Sequence, residues 1–300
     1  MRVLVTGAAG FLGAAIAERL GARGDIELAT SVRRSTPLAP TAHGLDLREP
    51  TEVRALVDAV RPDVVVHAAG RAQGSAACLD ADNVATTRNL AEAMGSAGGT
   101  GGLILLGSAA QYGHSATRRP WRESDPCAPR DAYGVSKLAA ETAAFKIAGR
   151  TGLRVAALRI FNVVSARPRG DQVFPSFLRR AAVGGSIAMG PLGAVRDFVE
   201  VADVLTAIER VIDRGAWSEA INVCTGVGRP TRELVSATAA AIDGLELVEA
   251  EAPPAALDWS VGDPSRCAAR LGFTPSADLT GLVRDAAAWV KGEADARSGA

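Results

Sequence analysis

The sequence predicts an α/β fold built on a doubly wound parallel sheet, followed by a smaller, discontinuous C-terminal region. Three observations predict it. The chain opens with an apolar run that enters three glycines spaced three apart, "VLVTGAAGFLG" at positions 3–13. Short apolar runs then alternate with segments whose apolar residues recur at helical spacing, the pattern of buried parallel strands joined by helices. Beyond about residue 160 the alternation breaks into shorter elements punctuated by Gly and Pro.

Taken in order, Val3–Val5 reads as the first strand, and Gly7, Gly10 and Gly13 as a tight turn into a helix over Leu12–Leu20. Strands follow at Ile26–Val32, Val64–His67, Leu103–Leu106 and Val155–Ile160, with helices at Glu52–Val60, Thr86–Met94 and Lys137–Ala148 between them. Gly95–Gly102 reads as a flexible connector, and 292–300 as a frayed tail. A strand that ends in glycines before a helix presents unpaired backbone N–H groups and a partial positive charge to phosphate. In the first βα unit of an alternating fold this is a Rossmann-type dinucleotide site. The expected division is a dinucleotide-binding domain over 1–160 and a mainly substrate-binding region over 161–300, with segments returning to the sheet.

Composition limits the function classes. The 300 residues are 48% hydrophobic and 22% charged, with 33 basic and 33 acidic side chains and no block of either sign, so nothing draws the chain to nucleic acid or to an anionic membrane. Cys78, Cys127, Cys224 and Cys267 form no C-x-x-C pair, which suits unpaired thiols in a reducing compartment and suggests no metal site. The first residues form neither a signal peptide nor a long apolar span, and a cytoplasmic protein is expected.

Further motifs resemble the extended branch of the short-chain dehydrogenase/reductase superfamily across almost the whole chain. They are the G-x-x-G-x-x-G turn, "VVVHAAG" at 64–70, "NVATTRNL" at 83–90, "SAAQYG" at 108–113 and the Y-x-x-x-K signature of Tyr133 and Lys137. "LRIFNV" at 158–163, "RDFV" at 196–199, "INVCTG" at 221–226 and "GDPSR" at 262–266 are similar to the substrate side of its nucleotide-sugar enzymes. The resemblance implies cofactor contacts from Gly7, Gly10, Phe11, Leu12 and Gly13, from Ala68, Ala69, Gly70 and Asn83, and, at the adenine ring, from Asp46 and Leu47. It implies substrate contacts from Ser108, Ala109, Tyr112, Asn162 and Arg196, with Tyr112 expected chiefly to pack beside the site. A homodimer through the helices at Thr86–Met94 and Lys137–Ala148 is also implied.

The chemistry has its own logic. Hydride transfer to a carbonyl carbon needs a proton for the oxygen, and a phenol near pKa 10 is poorly poised to exchange one at neutral pH. Lys137 follows Tyr133 by one helical turn, where its ammonium is expected to lower that pKa and to hold the nicotinamide ribose. Ser108, at a strand end, is expected to polarise the substrate oxygen. His67 reads as a structural histidine, His43 and His114 as exposed loop residues, and Ser136 as a small helix residue without a role in the chemistry.

Arg33 and Arg34 stand where the second strand ends, with no carboxylate there. An acidic residue at that place would suit a ribose 2′-hydroxyl, and arginine suits a 2′-phosphate, so NADP is the expected cofactor, with NAD the alternative. Ala109 and Ala110 occupy the positions where the related 4,6-dehydratases carry an acidic pair, which disfavours dehydration. The reading is therefore a reductase of a 4-keto nucleotide sugar, similar to the GDP-4-keto-6-deoxymannose reductases. A 4-epimerase and a ketoreductase of a non-sugar natural-product intermediate are the alternatives. The segment Pro253–Asp258 holds no arginine and Ser165-Ala166 replaces a glycine-proline, two departures from the nucleotide-sugar pattern.

Overall fold

A computed structural model of the chain describes residues 1–33, 42–96, 101–115, 117–166, 173–189, 192–242, 245–249 and 259–298. Its first half consists of β1 (Arg2–Thr6), α1 (Phe11–Gly21), β2 (Glu27–Arg33), β3 (Ala42–Leu45), α2 (Pro50–Val60), β4 (Val64–His67), α3 (Ala76–Leu79), α4 (Thr86–Ser96), β5 (Gly102–Ser108), α5 (Ala132–Thr151) and β6 (Arg154–Ile160). The remainder is β7 (Asn162–Val164), α6 (Val173–Ala181), β8 (Ser186–Met189), β9 (Val195–Glu200), α7 (Val201–Arg214), β10 (Glu219–Val223), β11 (Gly228–Pro230), α8 (Thr231–Ala240), β12 (Glu246–Glu249), β13 (Trp259–Ser260), α9 (Ser265–Leu271) and α10 (Thr280–Ser298).

Seven parallel strands form the central sheet in the order β10-β6-β5-β4-β1-β2-β3. The order reverses between β1 and β4, the place where an open α/β sheet leaves a crevice beyond its strand ends. Strands covered by helices on both faces must be apolar throughout, and β4 and the last four residues of β1 are buried without a break. Helix α2 shows the complementary pattern, burying Val53, Leu56, Val57 and Val60 on one face. It begins with Pro50 and stops where Arg61 turns left-handed at φ 47°.

Several expectations need correcting. The short strand β3 follows β2, so His43 is an exposed strand residue rather than a loop residue. The edge strand β10, residues 219–223, is a C-terminal segment that returns to the sheet. Helix α10 runs to Ser298, so the frayed tail expected from Gly292 is helical over most of its length. Of the expected connector, Gly95 lies in α4 and Gly102 in β5, where a side chain would meet the Trp217 ring; residues 97–100 lie outside the described residues, as do Arg34 and the segment Pro253–Asp258. No described helix is long and apolar enough to cross a membrane. The four cysteines are unpaired, and only Cys78 is exposed.

The later elements make their own core, in which Phe174, Phe177 and Leu178 of α6 pack with Leu234 and Val235 of α8 and with Leu282 and Val290 of α10. Asp197 of β9 anchors this region to the sheet. Its fully buried carboxylate accepts from the Thr225 amide and hydroxyl at 2.8 and 2.7 Å, and from the amides of Gly226 and Gly262 at 2.9 and 3.3 Å. Burial pushes its pKa up, while these donors oppose the rise.

A second buried polar cluster holds α5 to the sheet. Arg159 of β6 meets Glu141 of α5 through two nitrogens, at 2.5 and 3.1 Å, and donates to the Tyr112 hydroxyl at 3.0 Å. Glu141 also accepts from the Gln111 amide at 2.8 Å, and the Tyr112 hydroxyl donates to Asn222 of β10 at 2.7 Å. Removing one partner of a buried pair strands the other charge away from water. Arg159→Ala should therefore lower the unfolding free energy in urea by roughly 3–5 kcal/mol, whereas Glu141→Leu combined with Arg159→Met should recover a large part of that loss. A single-variant loss below about 1 kcal/mol would contradict the role assigned to the pair.

Candidate active site

Three adjoining cavities follow the C-terminal ends of the sheet strands. The first is lined by Gly7 and Gly10, by Ser31 and Arg33 at the end of β2, by Asp46, Leu47 and Arg48 after β3, and by Ala68, Ala69 and Gly70 after β4. The second shares Gly10, Ala68 and Gly70 with it and adds Phe11, Leu12, Ser108, Tyr133, Lys137 and Asn162. The third, a cleft of about 800 Å³, contains Ser108, Tyr133 and Asn162 again, together with Ala109, Ala110, His114, Arg130 and Arg196. Ser108, Tyr133 and Asn162 thus stand at the junction of the second and third cavities.

The glycine turn is closed to larger residues by backbone. A side chain at Gly7, which has φ +68°, would lie 2.6 Å from the Ala69 backbone, and one at Gly13 would lie 2.0 Å from the Gly7 carbonyl oxygen. No side chain caps the start of α1 at Gly10. Its first amides remain available to an anion, and the helix dipole favours one there. Ser31, 1% exposed on the wall of the first cavity, has a hydroxyl without a hydrogen-bond partner among the described residues. Uncapped amides, a polar orphan and a bare turn along one groove fit a dinucleotide.

At the far end of this groove the charges are paired. Arg48 grips Asp46 through Nε and a terminal nitrogen, at 2.9 and 2.5 Å, which holds that carboxylate at about 2. Asp46 therefore reaches the cavity as a carboxylate already bound to a cation. Arg33 lies 3.5 Å from Asp82, which also accepts from Arg71 Nε at 2.6 Å. Sequence reasoning missed Arg48, Arg71 and Asp82 at this end.

Asn83 lies behind Gly70 on a π-helical turn, Asp80–Ala85, a form enriched at functional sites. It is buried, accepts from the Arg71 amide at 2.7 Å, and donates to the Arg71 carbonyl at 2.9 Å and to the Ser136 hydroxyl at 2.8 Å. Its amide is thereby spent on bracing the loop and α5, and Ser136 is the tie between them. His67 is buried as expected of a structural residue, with Nδ1 2.7 Å from the Thr6 hydroxyl. Burial, and then the Lys137 charge, pull its pKa down to about 3, so the ring is neutral.

Helix α5 starts at Asp131, whose side chain accepts from the Gly134 amide at 2.6 Å, and this cap places Tyr133 in the first turn. Tyr133, Lys137 and Glu141 follow at four-residue intervals and share the face toward the sheet. Lys137 Nζ donates to the Leu106 carbonyl at 2.8 Å and lies 5.9 Å from the centre of the Tyr133 ring. Burial lowers its pKa to about 8.

The expected acidic phenol is corrected here. Burial raises the Tyr133 pKa; the Ser108 hydroxyl pulls it back, and the Asp131 carboxylate adds to the rise. The lysine is engaged with a backbone carbonyl instead. Ser108 caps the short 3-10 turn Ala109–Gln111, its oxygen accepting from the Ala110 amide at 3.2 Å, which leaves the hydroxyl proton free to be donated. The Gln111 side chain accepts from the Ser108 amide at 2.8 Å, linking this turn to Glu141 and Arg159.

Tyr112 is corrected as a substrate contact. It is completely buried behind the cleft, stacked on Trp121 with ring centres 5.1 Å apart, and its hydroxyl is occupied by Asn222 and Arg159. His114 is also corrected, since it is half-buried and lines the large cleft. Arg130 joins it there without having been read from the sequence. A histidine directly after the "SAAQYG" motif was the available signal for the first; an arginine three residues before Tyr133 was the signal for the second.

Comparison with known proteins agrees with this geometry. Residues 3–224 match the NAD dependent epimerase/dehydratase family. A dTDP-6-deoxy-L-talose 4-dehydrogenase (NAD(P)(+)) of Kitasatospora kifunensis is 34% identical over 301 residues, covering 95% of this chain and 94% of that protein. A GDP-6-deoxy-D-mannose reductase of Pseudomonas aeruginosa is 32% identical over 248 residues, 78% of each. The solved structure of RMD from Pseudomonas aeruginosa complexed with NADPH superposes with a TM-score of 0.83 at 28% identity, over 97% of this chain and 100% of that one. With the glycine turn, the Tyr133-Lys137 helix and the parallel sheet all in place, the chain belongs to the NAD dependent epimerase/dehydratase family and is an NAD(P)-dependent enzyme of the extended short-chain dehydrogenase/reductase type.

Proposed function

We propose that this protein is an NADPH-dependent ketoreductase that reduces the 4-keto group of a nucleotide-linked deoxysugar, with Tyr133 as the proton donor. The observation that carries the reading is that Ser108, Tyr133 and Asn162 line both the cavity that leads from the glycine turn and the large cleft beside it. A group held in one cavity and a carbonyl held in the other meet at a phenol and a hydroxyl. The similarity to a dTDP-6-deoxy-L-talose 4-dehydrogenase and a GDP-6-deoxy-D-mannose reductase supports a nucleotide-linked deoxysugar as the substrate class.

A bound reduced nicotinamide would supply the hydride. The protein's part is proton supply and positioning. A neutral phenol is the form that gives up a proton as the carbonyl becomes an alcohol; burial makes Tyr133 a weaker acid, and the strongly basic oxygen formed by hydride transfer is what draws the proton from it. Ser108 donates to the same oxygen as charge develops on it. Lys137 presents its ammonium to the second cavity, beside the phenol, where a ribose hydroxyl can accept from it. In the large cleft Arg196 and Asn162 are the proposed contacts to the diphosphate or its sugar, the guanidinium for its forked donors. Ala109 and Ala110 line the cleft where a dehydratase would need a carboxylate.

The choice of NADPH rests on Arg33, more than half exposed at the first cavity, and on the absence of a carboxylate at that strand end. An enzyme that exchanges NADPH consumes its ketone, whereas a 4-epimerase recycles a retained oxidised cofactor. The homodimer implied by the resemblance would form through α4 and α5, which pack side by side within the chain.

Tyr133→Phe should lower kcat for NADPH oxidation with a 4-keto nucleotide sugar by about 10²–10⁴-fold and change the NADPH Kd by less than roughly threefold. Equal turnover by the wild type would end the assignment. A second test follows from Lys137, whose native pKa of about 8 lies below that of an unfolded lysine, near 10.4. Between those values the unfolded chain binds more protons, so this group makes stability rise with pH over that window and changes nothing below it. The urea unfolding free energy of the wild type minus that of Lys137→Met should increase by on the order of 1 kcal/mol from pH 7.5 to pH 10.5. A flat or falling difference would contradict it.

A further inference from the structure

We propose that Asp82 tempers the nucleotide preference of the enzyme, acting on the adenosine end of the groove as a negative charge that Arg71 only partly neutralises. The inference rests on the reading of Arg33 as the 2′-phosphate contact and goes beyond it. Asp82 lies on the π-helical turn and lines the first cavity, with a side chain 7% exposed. A buried carboxylate in a site read as phosphate-binding calls for an explanation. Its Oδ2 accepts from Arg71 Nε at 2.6 Å and faces Arg33 at 3.5 Å.

The two arginines are not held alike. Arg71 is fixed at both ends, because its backbone amide and carbonyl are clamped by the Asn83 side chain while its guanidinium holds Asp82. Arg33 makes a long contact, and its side chain is 56% exposed. A contact of that length across water adds little to stability, so Arg33 can leave Asp82 for a phosphate at small cost. Arg71 stays behind as the counter-ion of the carboxylate. Asp46 is paired directly with Arg48, and Arg33 acts on it only through longer-range attraction.

This arrangement fixes the sign of each effect. A 2′-phosphate entering beside Arg33 gains a guanidinium but also approaches Asp82, and the carboxylate opposes it in a partly enclosed site where charge interactions are weakly screened. A ribose 2′-hydroxyl meets no such opposition. Asp82 therefore narrows the preference for NADPH, and Arg71 restores part of it by neutralising Asp82. The alternative, in which Asp82 helps by holding Arg33 in place, predicts the opposite sign.

The experiment is a titration of the purified full-length enzyme with NADPH and with NADH, following nicotinamide fluorescence, for the wild type, Asp82→Asn, Arg71→Gln and Arg33→Leu. Asp82→Asn should raise the ratio of the NADH Kd to the NADPH Kd by roughly three- to tenfold, and Arg71→Gln should lower it by a similar factor. Parallel weakening of both cofactors in both variants, an unchanged ratio, or a ratio that falls in Asp82→Asn would overturn the proposal. Arg33→Leu separates the two levels. If it abolishes the NADPH preference while Asp82→Asn leaves the ratio unmoved, the role of Asp82 is wrong and the reading of Arg33 stands. If Arg33→Leu leaves the preference intact, that reading fails and the proposal falls with it.

Discussion

The buried pair between Glu141 and Arg159 is the interaction on which the rest of the site depends. A helix that lies on a sheet through apolar contacts alone can slide by a fraction of a turn, and proton transfer does not tolerate such movement. Two charged hydrogen bonds to one strand remove that freedom. The same carboxylate holds Gln111, and Gln111 holds the amide of Ser108. One buried charge thus fixes both the helix that carries Tyr133 and the turn that carries Ser108. Charges this deep are expensive to desolvate, and here the cost is met by hydrogen bonds on nearly every lone pair.

The groove divides its labour along its length. At the glycine turn, recognition is a matter of backbone and space, since amides and the helix dipole face the cavity and no side chain fits between Gly7 and Ala69. At the end proposed for the adenosine the surroundings are charged, with three arginines and two aspartates in a small volume. At the junction the proposed chemistry is proton transfer, from a buried phenol beside a serine whose oxygen already accepts from the Ala110 amide. These differences follow from position: the turn must approach phosphate closely, the far end meets charge, and the junction must exclude water.

Much of this was legible in the sequence. Apart from β3 and α3, the order of strands and helices through residue 160 was written in apolar runs that alternate with helical periodicity, and the Gly7-Gly10-Gly13 spacing located the tight turn from β1 into α1. The four-residue step from Tyr133 to Lys137 placed both on one helical face. What the sequence hid was pairing at long range. Glu141 continues the same step, and Arg159 interrupts an apolar strand, yet no local pattern says that they meet. Nor does sequence order reveal that the Tyr112 hydroxyl is consumed by Asn222, 110 residues away. The phenol pKa expected from a neighbouring ammonium and the nicotinamide's charge did not foresee that Lys137 is engaged with the Leu106 carbonyl and that burial raises the pKa of Tyr133. Strand β10 escaped because its place in the sheet is set by tertiary pairing with β6.

The central claim is that hydride and proton are delivered to one carbonyl at the junction where Ser108, Tyr133 and Asn162 face both cavities. Its most direct test is the fate of deuterium from NADPH labelled stereospecifically at C4 of the nicotinamide, followed by NMR of the sugar formed from a 4-keto-6-deoxy nucleotide sugar. The account predicts one deuterium at C4 of the product and one oxidised cofactor released for each molecule formed. Product without deuterium, or interconversion of 4-hydroxy epimers with no net consumption of NADPH, would contradict it.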